Sequence, residues 1–181
     1  MDSAGAYVIP FKGLKFGSYP FDFEIDDSFF SLFPESQVQK AAVHVHVDFE
    51  KEERMLVAHI TLDGEAEVPC DRCNEPMNVK INGLERLIVK FGEAYQEQTD
   101  EVLIIPEAEH QIDLAPFLYE YVHLLLPMRK VHEEDAKGPR QCDPGVIRKM
   151  EELNRKAASD PRWEALAKFK ETNDQIVNRK S

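Results

Sequence analysis

A chain of 181 residues with 43% apolar side chains can bury one good core and a smaller appendage, and is too short for two full domains. Its formal charge of −12 is unevenly spread, because residues 1–128 carry 24 acidic and 9 basic side chains while residues 129–181 carry 10 and 13. Counterion release around phosphates needs cations, so the acidic body is a poor RNA surface, any RNA contact falls to the tail, and the body suits a basic protein or simply stays soluble.

No window approaches the roughly 18 uninterrupted apolar residues of a membrane span, and the first residues lack a basic stretch followed by an apolar one. A soluble, unexported, cytoplasmic protein is expected. Three cysteines without an export signal argue against a disulfide framework and leave reduced thiols or metal ligation.

The first forty residues are rich in Phe, which argues against a disordered leader. Tyr19, Phe21, Phe23 and Ile25 alternate with polar residues as in a half-buried strand, and Asp26 or Asp27 can cap a short helix carrying Phe29, Phe30 and Phe33. Val43 to Phe49 and Met55 to Leu62 alternate cleanly about a polar turn and read as an antiparallel hairpin. His44, His46 and His59 fall on its polar face, where solvated strand positions are favoured over metal ligation. After Gly64, Ala66 and Val68 comes Cys70-Asp71-Arg72-Cys73, and then a second hairpin is predicted, Met77 to Ile81 and Leu87 to Phe91 about Asn82-Gly83. Residues 92–100 read as polar and mobile, and Val102 to Ile105 as a short strand ended by Pro106.

Beyond Asp113 the period changes. Leu114, Phe117, Leu118, Tyr121, Val122 and Leu125 recur at spacings of three and four, Asp113 can cap the first turn, and Pro116 lies within it. An amphipathic helix over residues 113–126, stopped by Pro127, follows. Asp143-Pro144 and Asp160-Pro161 open two further helices in a positively charged tail.

No phosphate-binding glycine loop, HExxH or GxSxG occurs, and the acidic pairs read as solvated charges. No enzyme and no small-molecule substrate are expected. A redox reading of Cys70 and Cys73 would need the motif at a helix N-terminus, and this segment reads as a loop between strands.

Cys70-Asp71-Arg72-Cys73 with Pro76 three residues on resembles the C-x-R-C-x-x-P signature of the YceD family, the large ribosomal RNA subunit accumulation proteins. Asp113-Leu114-Ala115-Pro116, the helix after it and the ending Leu126-Pro127-Met128-Arg129 are similar to that family's D-L-x-P helix and its L-P-x-K/R close. Asp160-Pro161-Arg162-Trp163 with Leu166 and Lys168 resembles its terminal segment. The resemblance implies a non-enzymatic accessory factor that supports accumulation of 23S rRNA and large-subunit assembly, in bacteria or in plastids, and without an Arg- and Ser-rich transit-like leader a bacterial cytoplasm is expected. Its partner would be a large-subunit ribosomal protein or rRNA, met through tail 129–181 or through the acidic body. A module for protein interaction unrelated to ribosomes is the alternative. Arg72, Asp113, Pro127, Asp160, Pro161 and Arg162 carry the motifs.

Fuller members of that family have further thiols after the L-P-x-K/R ending, including a C-P-x-C-G segment that this chain lacks. His132 stands where the first of those cysteines falls, and Cys142 is the remaining thiol. Two states are open: unmetallated, reduced thiols, which is the default, or a Cys₃His zinc site of Cys70, Cys73, His132 and Cys142. The expected fold is α+β. An antiparallel, strongly bent or barrel-like sheet over residues 7–105 is packed by the helix 113–126 in a body of residues 1–128, and residues 129–181 form a basic linker and helical C-terminal extension. The predicted core comprises Phe21, Phe23, Val45, Val47, Leu56, Ile60, Val79, Ile81, Leu87, Val89, Leu118, Val122 and Leu125.

Overall fold

The alternation that begins near Val43 carries two long strands. In the computed structural model, which describes residues 5–135, 138–139 and 142–156, the chain divides into two compact units, Met1–Glu133 and Glu134–Ser181. The first unit runs β1 (Val8–Ile9), β2 (Gly17–Ile25), α1 (Asp27–Phe30), β3 (Lys40–Lys51), β4 (Met55–Pro69), β5 (Pro76–Gly92), β6 (Gln96–Thr99), β7 (Val102–Pro106), β8 (Ile112–Asp113) and α2 (Ala115–Leu125). The second holds β9 (Glu134–Asp135), β10 (Gly138–Pro139) and α3 (Pro144–Lys156), with β9 and β10 paired antiparallel.

Six strands form an open sheet in the order β2-β3-β4-β5-β7-β6, and β1 pairs with β8 apart from it. Val47 faces Ile60 across β3 and β4, and Leu56 faces Val89 across β4 and β5, so the alternating apolar residues of all three strands share one face. Phe29 and Phe30 of α1 and Phe117, Leu118, Tyr121 and Val122 of α2 join the buried cluster of that face. Ten of the expected core residues are buried, whereas Phe21, Phe23 and Leu125 pack against the cluster while partly exposed.

Four sequence expectations need correction. The sheet does not close into a barrel, because β2 and β6 remain as edges, and its pairing is mixed: β5 and β7 run parallel. Asn82-Gly83 is not a turn, since β5 is continuous and pairs with β4 along its length, from Met55 and Lys90 to Pro69 and Pro76. Gly83 serves close packing instead, because a Cβ there would meet the Leu125 side chain of α2. The polar stretch before Asp100 contains β6, an exposed edge strand that owes its order to backbone pairing with β7 rather than to burial. The helix expected over 113–126 spans Ala115–Leu125 with Leu114 at its cap position, and Asp113 lies in β8 opposite Val8; as expected, its Oδ1 accepts an N–H of the first turn, that of Ala115 at 2.9 Å.

The predicted short helix is present as a single turn carrying Phe29 and Phe30, with Asp26 as its cap accepting from Ser28 N–H at 2.8 Å, while Phe33, expected on it, lies beyond its end. In the second unit Asp143 accepts from Gly145 N–H at 2.6 Å and opens α3 as the Asp-Pro pattern requires. Asp160, Pro161 and Arg162, with the helix predicted after them, lie outside the described residues. Among the described residues no helix is long and apolar enough to cross a membrane.

Candidate metal centre

Because β4 and β5 pair as far as Pro69 and Pro76, the CxxC motif occupies the tip of one long hairpin. Cys70 N–H donates to Glu75 O at 2.9 Å and Asn74 N–H donates to Cys70 O at 2.8 Å, which folds the six-residue loop back on itself. Asn74 sits at φ 62, a left-handed conformation that its short polar side chain tolerates. The turn aims backbone N–H groups at the first sulfur. Burial by itself pushes the Cys70 thiol up, but the N–H groups of Arg72, Cys73 and His132 and the Cys73 side chain together outweigh it and bring the thiol down to about 6. Cys70 is thus prepared to ligate as a thiolate.

His132 arrives from a segment 59 residues away, and Asp71 ties that segment down. Asp71 N–H donates to Lys130 O at 2.6 Å, Lys130 N–H donates to Asp71 Oδ2 at 2.7 Å, and the Lys130 ammonium lies 3.4 Å from Oδ1. The Lys130 N–H above all, helped by the charges of Lys130 and Arg129, holds the Asp71 carboxyl below its ordinary value against the opposing effect of desolvation. Two residues further, His132 is buried, with Nε2 3.3 Å from Pro76 O and Nδ1 3.5 Å from Cys73 Sγ. With the proton on Nε2, directed at the carbonyl, Nδ1 presents its lone pair towards the thiols, the arrangement in which an outer carbonyl fixes a metal-ligating imidazole. A zinc ion with bonds of about 2.3 Å to sulfur and about 2.05 Å to nitrogen separates two tetrahedral ligands by about 3.6 Å. The 3.5 Å between Cys73 and His132 matches that spacing.

Ligand atoms of Cys70, Cys73, His132 and Cys142 all lie within 4.8 Å of one another, and all four residues are buried. None of the three thiols is in a disulfide. This is a Cys₃His donor set of soft thiolates and one imidazole, the chemistry that zinc prefers, so the residues fit the ion that the spacing suggested.

The other histidines are arranged differently. His44 Nδ1 lies 2.7 Å from Glu24 Oε1, and His46 Nδ1 lies 2.7 Å from Asp22 Oδ1, on the exposed face of β2 and β3. His59 faces Asp48 across the β3–β4 ladder. All three are strand positions beside carboxylates, on the polar face that the alternation predicts, and among the described residues the cysteine cluster is what brings three or more candidate ligands close enough for a metal.

Of the motif residues, Arg72 stands in the hairpin turn between the two thiols and Asp113 serves the start of α2. Pro127 follows the extended Leu126 that ends that helix, the conformation a residue before proline favours. Sequence reasoning overlooked Asp71, an ordinary x of the CxxC motif. The signal was weak: a carboxylate inside the motif and a basic residue just after the L-P ending.

An open sheet roofed by helices, with a buried cysteine and histidine cluster at one hairpin tip, defines a small sheet protein with a metal-competent knuckle. Residues 58–170, more than half of the chain, match the family model described as large ribosomal RNA subunit accumulation protein YceD. The chain belongs to that family. No curated protein and no solved structure matches it.

Proposed function

We propose that this protein is a non-enzymatic accessory factor that supports accumulation of 23S rRNA, and with it large-subunit assembly, in a bacterial cytoplasm. The family match over residues 58–170 carries this reading, because that family's description names the large ribosomal RNA subunit. The charge distribution supports a division of labour: the tail after residue 128 holds 13 of the 22 cationic side chains and is the segment suited to phosphate, while the body suits a basic protein.

Zinc has a structural part in this reading. Cys70, Cys73, His132 and Cys142 would hold it with four protein ligands, leaving no open position for a reacting water, so the metal would supply cross-linking rather than catalysis. Cys70 and Cys73 would anchor it to the hairpin tip, while His132, already bound to that tip through Asp71 and Lys130, adds the ligand from the chain after α2.

Sucrose-gradient profiles of a deletion strain test the role directly: the large-subunit peak and 23S rRNA should fall relative to the small subunit. An unchanged ratio under rapid growth refutes the ribosomal reading. Pull-down composition gives a second test, with large-subunit proteins or rRNA expected and a single non-ribosomal partner contradicting it. For the metal, protein purified without chelator should carry close to one equivalent of zinc and the Cys70→Ser variant far less. Below about a tenth of an equivalent the four-ligand site is rejected on stoichiometry.

A further inference from the structure

Away from the thiols, β5, the β6–β7 turn and α2 enclose a cleft of about 710 Å³. Glu85, Asp100, Glu101 and Glu120 line it with a single arginine, Arg86. That arginine is already engaged: its terminal nitrogen lies 2.6 Å from Glu101 Oε2. Glu85 is the unusual member. It faces Ile60 in the β4–β5 ladder, on the sheet face that elsewhere carries Val79, Ile81, Leu87 and Val89, and it is half-buried. A carboxylate in that row is a poor choice for packing alone.

A second, independent feature marks the same place. Tyr121 also lines the cleft and is only 4% exposed, yet its Oη is the one buried side-chain oxygen or nitrogen without a hydrogen-bond partner among the described residues. Buried hydroxyls are almost always paired, so one left unpaired beside a cleft points to a donor or acceptor supplied from outside. Burial first, then the nearby charges of Glu85, Glu120 and Glu101, push the Tyr121 hydroxyl up to about 12, which places it within the field of the cleft's own carboxylates. At the rim, Leu124 is 71% exposed and offers apolar contact for the stem of a long side chain.

We infer that this cleft is a docking site for a basic segment of a protein partner, receiving a lysine or arginine side chain whose N–H groups bind Glu85 and Glu120 and donate to Tyr121 Oη. Charge complementarity selects that occupant. Four carboxylates against one paired arginine repel the phosphates of RNA or of an anionic lipid surface, whereas a guanidinium or ammonium head satisfies both the excess charge and the orphaned hydroxyl. The site is separate from the thiol cluster and does not depend on the ribosomal reading, since any basic segment of suitable shape would fit.

The test uses the full chain and a fluorescently labelled, acetylated Gly-Arg-Lys-Arg-Gly amide, followed by anisotropy across a salt series. Net charge alone attracts such a peptide, so the control must remove equal charge elsewhere. A Glu85→Gln, Glu120→Gln double variant should weaken binding by about fivefold or more, and Tyr121→Phe by about threefold, without a loss of melting temperature in the latter. An Asp22→Asn, Glu24→Gln double variant removes the same charge from the β2 edge and should change affinity less than about twofold. Equal weakening by both double variants, or no effect of either, overturns the proposal. So does displacement of the peptide by a single-stranded RNA whose own binding depends on Glu85 and Glu120.

Discussion

Replacing Gly64 by alanine should be far more damaging than replacing Gly83, although both are glycines inside long strands. At Gly64 the two strands pass so closely that a Cβ would lie 2.6 Å from Val43 Cα and 3.0 Å from the Ala42 carbonyl carbon, and nearer still to the Ala42 oxygen. Carbon atoms in contact rest about 3.5–4.0 Å apart, so β3 and β4 must part by roughly 1 Å. Those are backbone atoms in a ladder paired continuously from Lys40 and Glu67 to Lys51 and Leu56, and they cannot retreat singly. Overpacking costs about 1–3 kcal/mol. With backbone as the obstacle the upper figure applies, offset by the ~0.5–1 kcal/mol that alanine gains over glycine in a strand. The net loss is about 2 kcal/mol, or about 4–8 °C in melting temperature for a chain of this size. At Gly83 the obstacle is the end of a side chain, with Leu125 Cδ2 nearest, Cδ1 at 2.8 Å and Cγ at 3.1 Å. Leu125 is only partly buried and can turn away, so Gly83→Ala should lose about 1 kcal/mol or less. Urea unfolding at 25 °C measures both. Gly64→Ala within about 0.5 kcal/mol of the parent, or less damaging than Gly83→Ala, would refute the close strand approach.

The Asp71→Ala variant should keep the sheet's protected amides and lose zinc affinity about 10–100-fold in a competition titration, because the tie that positions His132 is gone; unchanged affinity would remove Asp71 from that role. His46 should titrate by NMR above the ordinary 6.5, chiefly through its hydrogen bond with Asp22, and Asp22→Asn should lower its midpoint. The pair's sign is fixed by linkage. His46 contributes stability below the unfolded histidine value and loses it as pH rises through the folded midpoint, while Asp22, held below 3.8 chiefly by that bond, contributes above the unfolded carboxyl value and loses it as pH falls through its folded one. Tyr121→Phe should melt at the parent's temperature or higher near neutral pH, since an unpaired buried hydroxyl costs about 1–3 kcal/mol; a clear drop would mean that the oxygen is paired. Raised from 10.0 to about 12 in the fold, the same hydroxyl makes the parent lose stability relative to the variant as pH climbs through that interval.

Much of the sheet was legible because alternation at period two states which residues share a face. The hairpin of β3 and β4, the short Phe-rich helix and α2 all follow from spacing and caps that act within a few residues, and so do the ordered motifs of the family. Even the misread turn carried a warning. Val79, Ile81, Leu87, Val89 and Phe91 keep one parity through Asn82-Gly83, whereas a two-residue turn pairs residue 81 with 84 and exchanges odd for even positions. Alternation is silent about which strand lies beside which, or in what direction. The parallel pairing of β5 with β7 and the open edges at β2 and β6 were therefore decided by tertiary packing. For the thiol cluster, spacing identified Cys70 and Cys73, and family resemblance suggested His132 and Cys142. Only the folded chain shows why His132 reaches the hairpin, because the Asp71–Lys130 tie joins residues 59 apart that no local rule connects. Tyr121 illustrates the same limit: its position on the helix places the ring in the core, but whether the oxygen finds a partner there depends on every side chain brought around it.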